Sequence, residues 1–135
     1  AEAYAARDFA KLDLGEPRQI MAGPVPITPF RRALIIRMDD GYWFGDLRWR
    51  PAPYFTLDPV FMPSHMDDPA VAAAARKDKA AADFLYWSRF PFASVQRSTG
   101  GAAVTLGDAR FADAIGGRSF AVTTSLSADE AGPAP

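Results

Sequence analysis

Gly45-Asp46-Leu47-Arg48-Trp49 recurs as Gly107-Asp108-Ala109-Arg110-Phe111, a displacement of 62 positions (45 to 107). At the same displacement Pro29-Phe30 falls on Pro91-Phe92. Each copy opens on Pro-Phe, passes through a glycine turn and ends in Gly-Asp-x-Arg-aromatic. A chain that repeats such a frame is constrained to build one kind of unit twice. The recurrence therefore predicts a duplicated α+β domain, and its character is architectural, not catalytic.

The stretches between the repeats supply the elements. Residues 2–14 are strong helix formers whose apolar Ala5, Phe9 and Leu12 share a face, closed by Gly15 and Pro17. Residues 1–22 are thus an N-terminal helix and linker of the same domain. The alternating prolines of 23–29 forbid helix and predict an extended connector. An apolar strand over 33–38, a tight turn at Asp39-Asp40-Gly41 and a return strand over 42–49 follow. Residues 54–62 supply a third strand, with Pro59 marking an edge or bulge.

Asp68 as N-cap and Pro69 at the first helical position start a second helix. It runs without a breaker over 71–88 and is expected to pack across the sheet. Strands over 92–97, 102–111 and 118–126 come next, with turns at 98–101 and Gly116-Gly117. The duplicated core spans 23–127, and the small, Pro-rich tail 128–135 is expected to fray. Two α-βββ units most simply make one antiparallel sheet of about six strands with helices packed on one face.

Alternation puts Asp46 and Arg48 on one strand face, and Asp108 and Arg110 likewise. If the units pair about a pseudo-two-fold, Asp46 meets Arg110 while Asp108 meets Arg48. The four residues are then a structural joint or, with both arginines turned to a ligand, an anion site. Each arginine arrives with its own carboxylate, which favours the joint. Tyr42, Trp43, Phe44 and Trp49 cluster in sequence, and alternation sends some of them outward. Tyr42, Trp43 and Trp49 are the candidate surface aromatics for stacking or protein contact.

Other chemistry finds little footing. The chain has no cysteine and one histidine, His65, so it lacks thiolates and any paired-histidine metal spacing. No serine sits in a G-x-S-x-G elbow, and the glycine pairs lack the lysine of a phosphate loop. No catalytic, cofactor-binding or metal residue is assigned. Fifteen basic residues oppose sixteen acidic ones, with no basic stripe, so nucleic acid is not an expected partner. The longest apolar runs, 33–36 and 70–75, fall far short of the roughly 20 residues of a membrane helix. The start at Ala1, without an initiator methionine and directly in a helical pattern, is read as the edge of a piece cut from something larger.

Phe84-Leu85-Tyr86-Trp87-Ser88-Arg89-Phe90-Pro91, followed by Val104-Thr105-Leu106-Gly107-Asp108-Ala109-Arg110-Phe111, resembles the C-terminal portion of the bacterial inner-membrane metal-dependent hydrolase family. Some members of that family are labelled LexA-binding, inner membrane-bound hydrolases. The proline segment 23–31 and the Asp40-Gly41-Tyr42-Trp43 hairpin look like the family's entry to this region, and the likeness covers most of 23–126. One departure is Phe30-Arg31-Arg32, where the family pattern places a Trp just before an Arg. The resemblance implies a parent with several N-terminal membrane helices carrying the histidine and acidic residues of a divalent-metal site. None of those residues is in this chain, so no catalytic residue carries over. The implied role is a non-catalytic, soluble accessory or regulatory domain on the cytoplasmic side of the inner membrane. Its partner would be its own membrane domain, with a homo-oligomer as a further option. The residues leave two alternatives open: a small anionic-ligand binding domain, or a self-association module using the outer aromatics.

Overall fold

Prolines and helix caps divide this chain. The computed structural model, which describes residues 1–25, 28–111 and 121–133, is α+β, with two antiparallel sheets of five and three strands. They belong to two compact units, Ala1–Pro63 and Ser64–Pro135. The class follows the expected order of elements, but a single sheet of about six strands does not form. The strands holding Gly45 and Gly107 lie in separate sheets. Pro59 and Pro63, late in unit 1, each lack a backbone N–H to give to a sheet ladder.

In unit 1, helix α1 (Glu2–Ala10) precedes β1 (Gln19–Val25), β2 (Thr28–Arg37), β3 (Gly41–Arg48) and β4 (Tyr54–Leu57), in spatial order β1-β2-β3-β4. A two-residue strand, β5 (Met62–Pro63), pairs with the start of β3. Ala5 of α1 is fully buried with Leu34 of β2 and Leu47 of β3, flanked by Tyr4, Ile20, Ala22, Trp49 and Phe55. The helix stops at Ala10 and not near Leu14; Leu12 and Leu14 are 45% and 40% exposed. The described residues of the expected proline connector belong instead to strands, 23–25 to β1 and 28–29 to β2. Pro24 is tolerated there because β1 is an edge strand, and the register shifts just after it.

In unit 2, α2 (Pro69–Lys77) and α3 (Lys79–Trp87) precede β6 (Pro91–Ser98), β7 (Gly101–Asp108), a 3-10 turn (Ala109–Phe111), β8 (Val122–Ser127) and α4 (Ala128–Ala131). The sheet order is β6-β7-β8. Its core joins Ala70, Val71, Ala74, Ala81 and Phe84 of the helices to Ala93, Val104, Leu106 and Leu126 of the sheet, with Ala131 closing the end. The small residues of α2 allow close approach to the strands.

Two expectations are corrected here. The helix expected over 71–88 breaks at Asp78, whose φ −122° and ψ 116° are extended. Asp78 ends α2 and caps α3, its carboxylate accepting from the Ala80 N–H and from the Thr124 hydroxyl (2.9 Å each). The tail expected to fray carries α4, held by a reciprocal capping box between Ser127 and Glu130, with Ala131 buried. The Gly116-Gly117 turn and the start of the strand expected from 118 lie outside the described residues. Among the described residues no helix is long and apolar enough to cross a membrane.

Candidate functional site

Each copy of Gly-Asp-x-Arg closes a polar joint inside its own unit. In unit 1 the register places Asp46 opposite Ala33 and Arg48 opposite Arg31. Arg31 reaches diagonally, its Nε donating to Asp46 Oδ1 at 2.7 Å and its Nη2 to Oδ2 at 2.9 Å. This is a bidentate fork, partly open to solvent, with side-chain exposures of 38% and 24%. Arg48 is exposed. The Asp46 bond raises the Arg31 pKa further above its usual value.

The unit 2 joint is dry. The Asp108 side chain is 0% exposed and accepts from Arg110 Nε and Nη2, from the Arg110 backbone N–H (2.9 Å each), and from the Ser88 hydroxyl at 2.6 Å. A longer contact of 3.4 Å comes from the Phe90 N–H. Burial pushes this carboxyl's pKa up, but the donors of Arg110, Ser88 and Phe90 outweigh burial and hold it at about 2. The guanidinium of Arg110 lies near the rings of Phe111, Trp87 and Phe90, at 5.3, 5.9 and 6.0 Å. Ser88 is the C-cap of α3 and Asp108 ends β7, so the joint ties a helix end to a strand end.

The expected reciprocal pairing of Asp46 with Arg110 and of Asp108 with Arg48 thus gives way to Asp46 with Arg31 and Asp108 with Arg110. A further clamp was not anticipated. Arg97 of β6 forks onto Asp68, the α2 N-cap, with two bonds of 2.8 Å. That bond from Arg97, against the opposing effect of burial, holds the Asp68 carboxyl below its usual pKa. The Asp68-Pro69 start was legible in sequence; its cross-unit-2 partner 29 residues on required the sheet register.

The candidate aromatics do not form an outer surface. Tyr42 is buried at 2% exposure. Trp43 packs on Phe61 with centroids 5.0 Å apart, and Trp49 meets Tyr4 edge-on at 5.6 Å beneath α1. Among the described residues the exposed large rings are Phe30, Tyr54, Tyr86 and Trp87. His65 sits exposed in the loop before α2 with φ 53°. Among the described residues no group of three His, Cys, Asp or Glu could hold a metal ion, and no buried side-chain polar atom lacks a partner. Comparison with family models, with curated proteins and with solved structures finds no match.

Proposed function

We propose that this chain is a non-catalytic accessory or regulatory domain of a membrane-bound, metal-dependent hydrolase, lying on the cytoplasmic side of the inner membrane. The observation that carries the non-catalytic part is how the repeated charges are spent. Asp46 and Asp108 are each locked in a bidentate pair with an arginine, and Asp108 is dry. Groups held this way brace a fold and are poorly placed to transfer protons or bind a metal. The membrane parent is supported by the resemblance of residues 84–91 and 104–111 to the C-terminal portion of that hydrolase family. On this reading any divalent metal belongs to the parent's membrane helices, and the partner of this chain is that membrane part.

The test compares the chain alone with the full-length product of its gene. The coding sequence upstream should specify several apolar spans of roughly 20 residues. Bound metal and hydrolytic activity should travel with those spans, and removing the present chain should alter activity without removing the metal. Stoichiometric zinc in the chain purified without added metal, lost on His65→Ala, would overturn the reading.

A further inference from the structure

A net charge of −1 conceals a local excess of arginine. Residues 28–37 and 45–57 hold five arginines and a single acid, Asp46. Four of them, Arg31, Arg32, Arg48 and Arg50, gather where β2 enters, β3 leaves and β4 begins. The register sets Arg31, Arg48 and Tyr54 side by side across three neighbouring strands. The Trp49 N–H donates to the Phe30 carbonyl at 2.8 Å, which makes residues 30 and 49 a hydrogen-bonded pair. Arg31 and Arg48 therefore occupy the next, non-hydrogen-bonded pair, where Cα atoms approach to about 4.5 Å. Like charges so placed repel. Asp46 pairs with Arg31 and offsets part of its charge, and Arg48 stands exposed beyond it.

The rings around these charges stand at the same end of the sheet, Tyr54 on the face of Arg48 and Phe30 on the face of Trp49. Phe30 and Tyr54 are 47% and 60% exposed, and the exposed Arg50 lies 4.5 Å over the Phe30 ring. The loop that carries Arg50 is anchored, because the Tyr4 hydroxyl of α1 donates to the Pro53 carbonyl at 3.3 Å. Fixed cations beside half-exposed aromatic rings match the phosphate layer and the apolar boundary of a lipid surface.

We infer that this end of the unit 1 sheet docks on an anionic lipid surface, with Arg48 and Arg50 meeting headgroup phosphates and Phe30 and Tyr54 entering the interface. Guanidinium forks suit phosphate oxygens. Protruding rings suit a plane better than an enclosed small ligand, which needs a concave site. Single-stranded nucleic acid fits less well. The row is only two strand spacings wide, about 10 Å, and one face of the Phe30 ring is already covered by Arg50. The inference rests on this surface alone and stands separately from the hydrolase reading.

Co-sedimentation of the whole 135-residue chain with vesicles tests it. Binding is expected to vesicles of phosphatidylcholine mixed with phosphatidylglycerol, not to phosphatidylcholine alone, and to fall as salt rises. Arg48→Ser and Arg50→Ser should each weaken binding about fivefold, with circular dichroism unchanged. Tyr54→Ser should weaken it without changing the salt dependence. Equal binding to neutral vesicles, no binding to either, or indifference to both arginine changes would overturn it. So would an oligothymidine that binds through the same arginines more tightly than the anionic vesicles.

Discussion

The two Gly-Asp-x-Arg segments end β3 and β7, each a central strand, yet they settle their charges in opposite ways. In unit 1 the chain stays extended through Arg48, and alternation carries that side chain about 6.8 Å beyond Asp46. Asp46 is then met from across the sheet by Arg31. In unit 2 the chain leaves the strand immediately after Asp108 for the 3-10 turn at Ala109–Phe111. That turn folds Arg110 back onto its own aspartate, where Ser88 and Phe90 complete the shell. The same residues make an open diagonal pair in one place and a sealed joint in the other, because the next backbone step differs.

The largest effect separating the two should come from the aspartates. Asp108→Ala removes the partner of a partly buried guanidinium and strands the donors of Ser88 and Arg110, costing about 3–5 kcal/mol. Asp46→Ala should cost about a third of that or less, since the pair is partly solvated. Urea unfolding followed by circular dichroism measures both, and equal losses would break the contrast. In a double-mutant cycle, Asp108→Ala and Arg110→Ala should couple by roughly 1–3 kcal/mol, while Asp46→Ala and Arg110→Ala should simply add.

The glycines sharpen the comparison next. A Cβ at Gly45 would lie 2.4 Å from the Thr56 carbonyl oxygen, which is backbone of the neighbouring strand. A Cβ at Gly107 would meet the ring of Phe92, its cross-strand partner, at 2.5 Å. A ring can turn aside and a strand cannot. Gly45→Ala should therefore cost near the upper end of about 1–3 kcal/mol, and Gly107→Ala near the lower end. The Gly107→Ala loss should shrink further when Phe92 is changed to Leu, and thermal midpoints of the three variants would show it.

Acid should weaken the sealed joint. The folded pKa of Asp108, about 2, lies below the ordinary 3.8. A depressed carboxylate contributes stability above its unfolded pKa and loses it as pH falls toward the folded one. The stability gap between the wild type and Asp108→Asn should thus be full near pH 5 and narrow by about 2 kcal/mol on descent to about pH 2. A gap that stays constant over that range would mean the carboxylate is not held as the geometry requires.

The sequence made the elements legible better than their partners. The helix start at Asp68-Pro69 and the 98–101 turn are local chemistry and stand where expected. The break at Asp78 was hidden because Ala and Lys on both sides favour helix; its carboxylate accepts from Thr124, which only folding brings near. The capping box Ser127-x-x-Glu130 was readable and would have replaced a frayed tail by α4. The Pro-Phe coincidence was misleading. Gly45 lies opposite Leu34, 11 positions back (45 − 34), whereas Gly107 lies opposite Phe92, 15 back (107 − 92). The stretch between glycine and partner is four residues longer in the second hairpin, so equal displacement in sequence did not mean equal position in the sheet. Without that register, Arg31 could not have been named as the partner of Asp46.

The smallest effect carries the clearest sign. Arg110→Ala removes a cation enclosed by Asp108 and three rings, and it should destabilise unit 2. Arg48 occupies the corresponding place in unit 1, but it is exposed and faces Arg31 directly across the strands. Its removal deletes a like-charge repulsion and little packing. Arg48→Ala should leave stability within about 0.5 kcal/mol of the wild type, on the side of a gain at low salt. Raising the salt should erase that gain, because exposed charges are screened within about 10 Å at 0.1 M. Thermal melts at low and high ionic strength measure the difference. A clear loss at both would mean that Arg48 has a structural partner after all, and that the two motifs are more alike than their backbones make them.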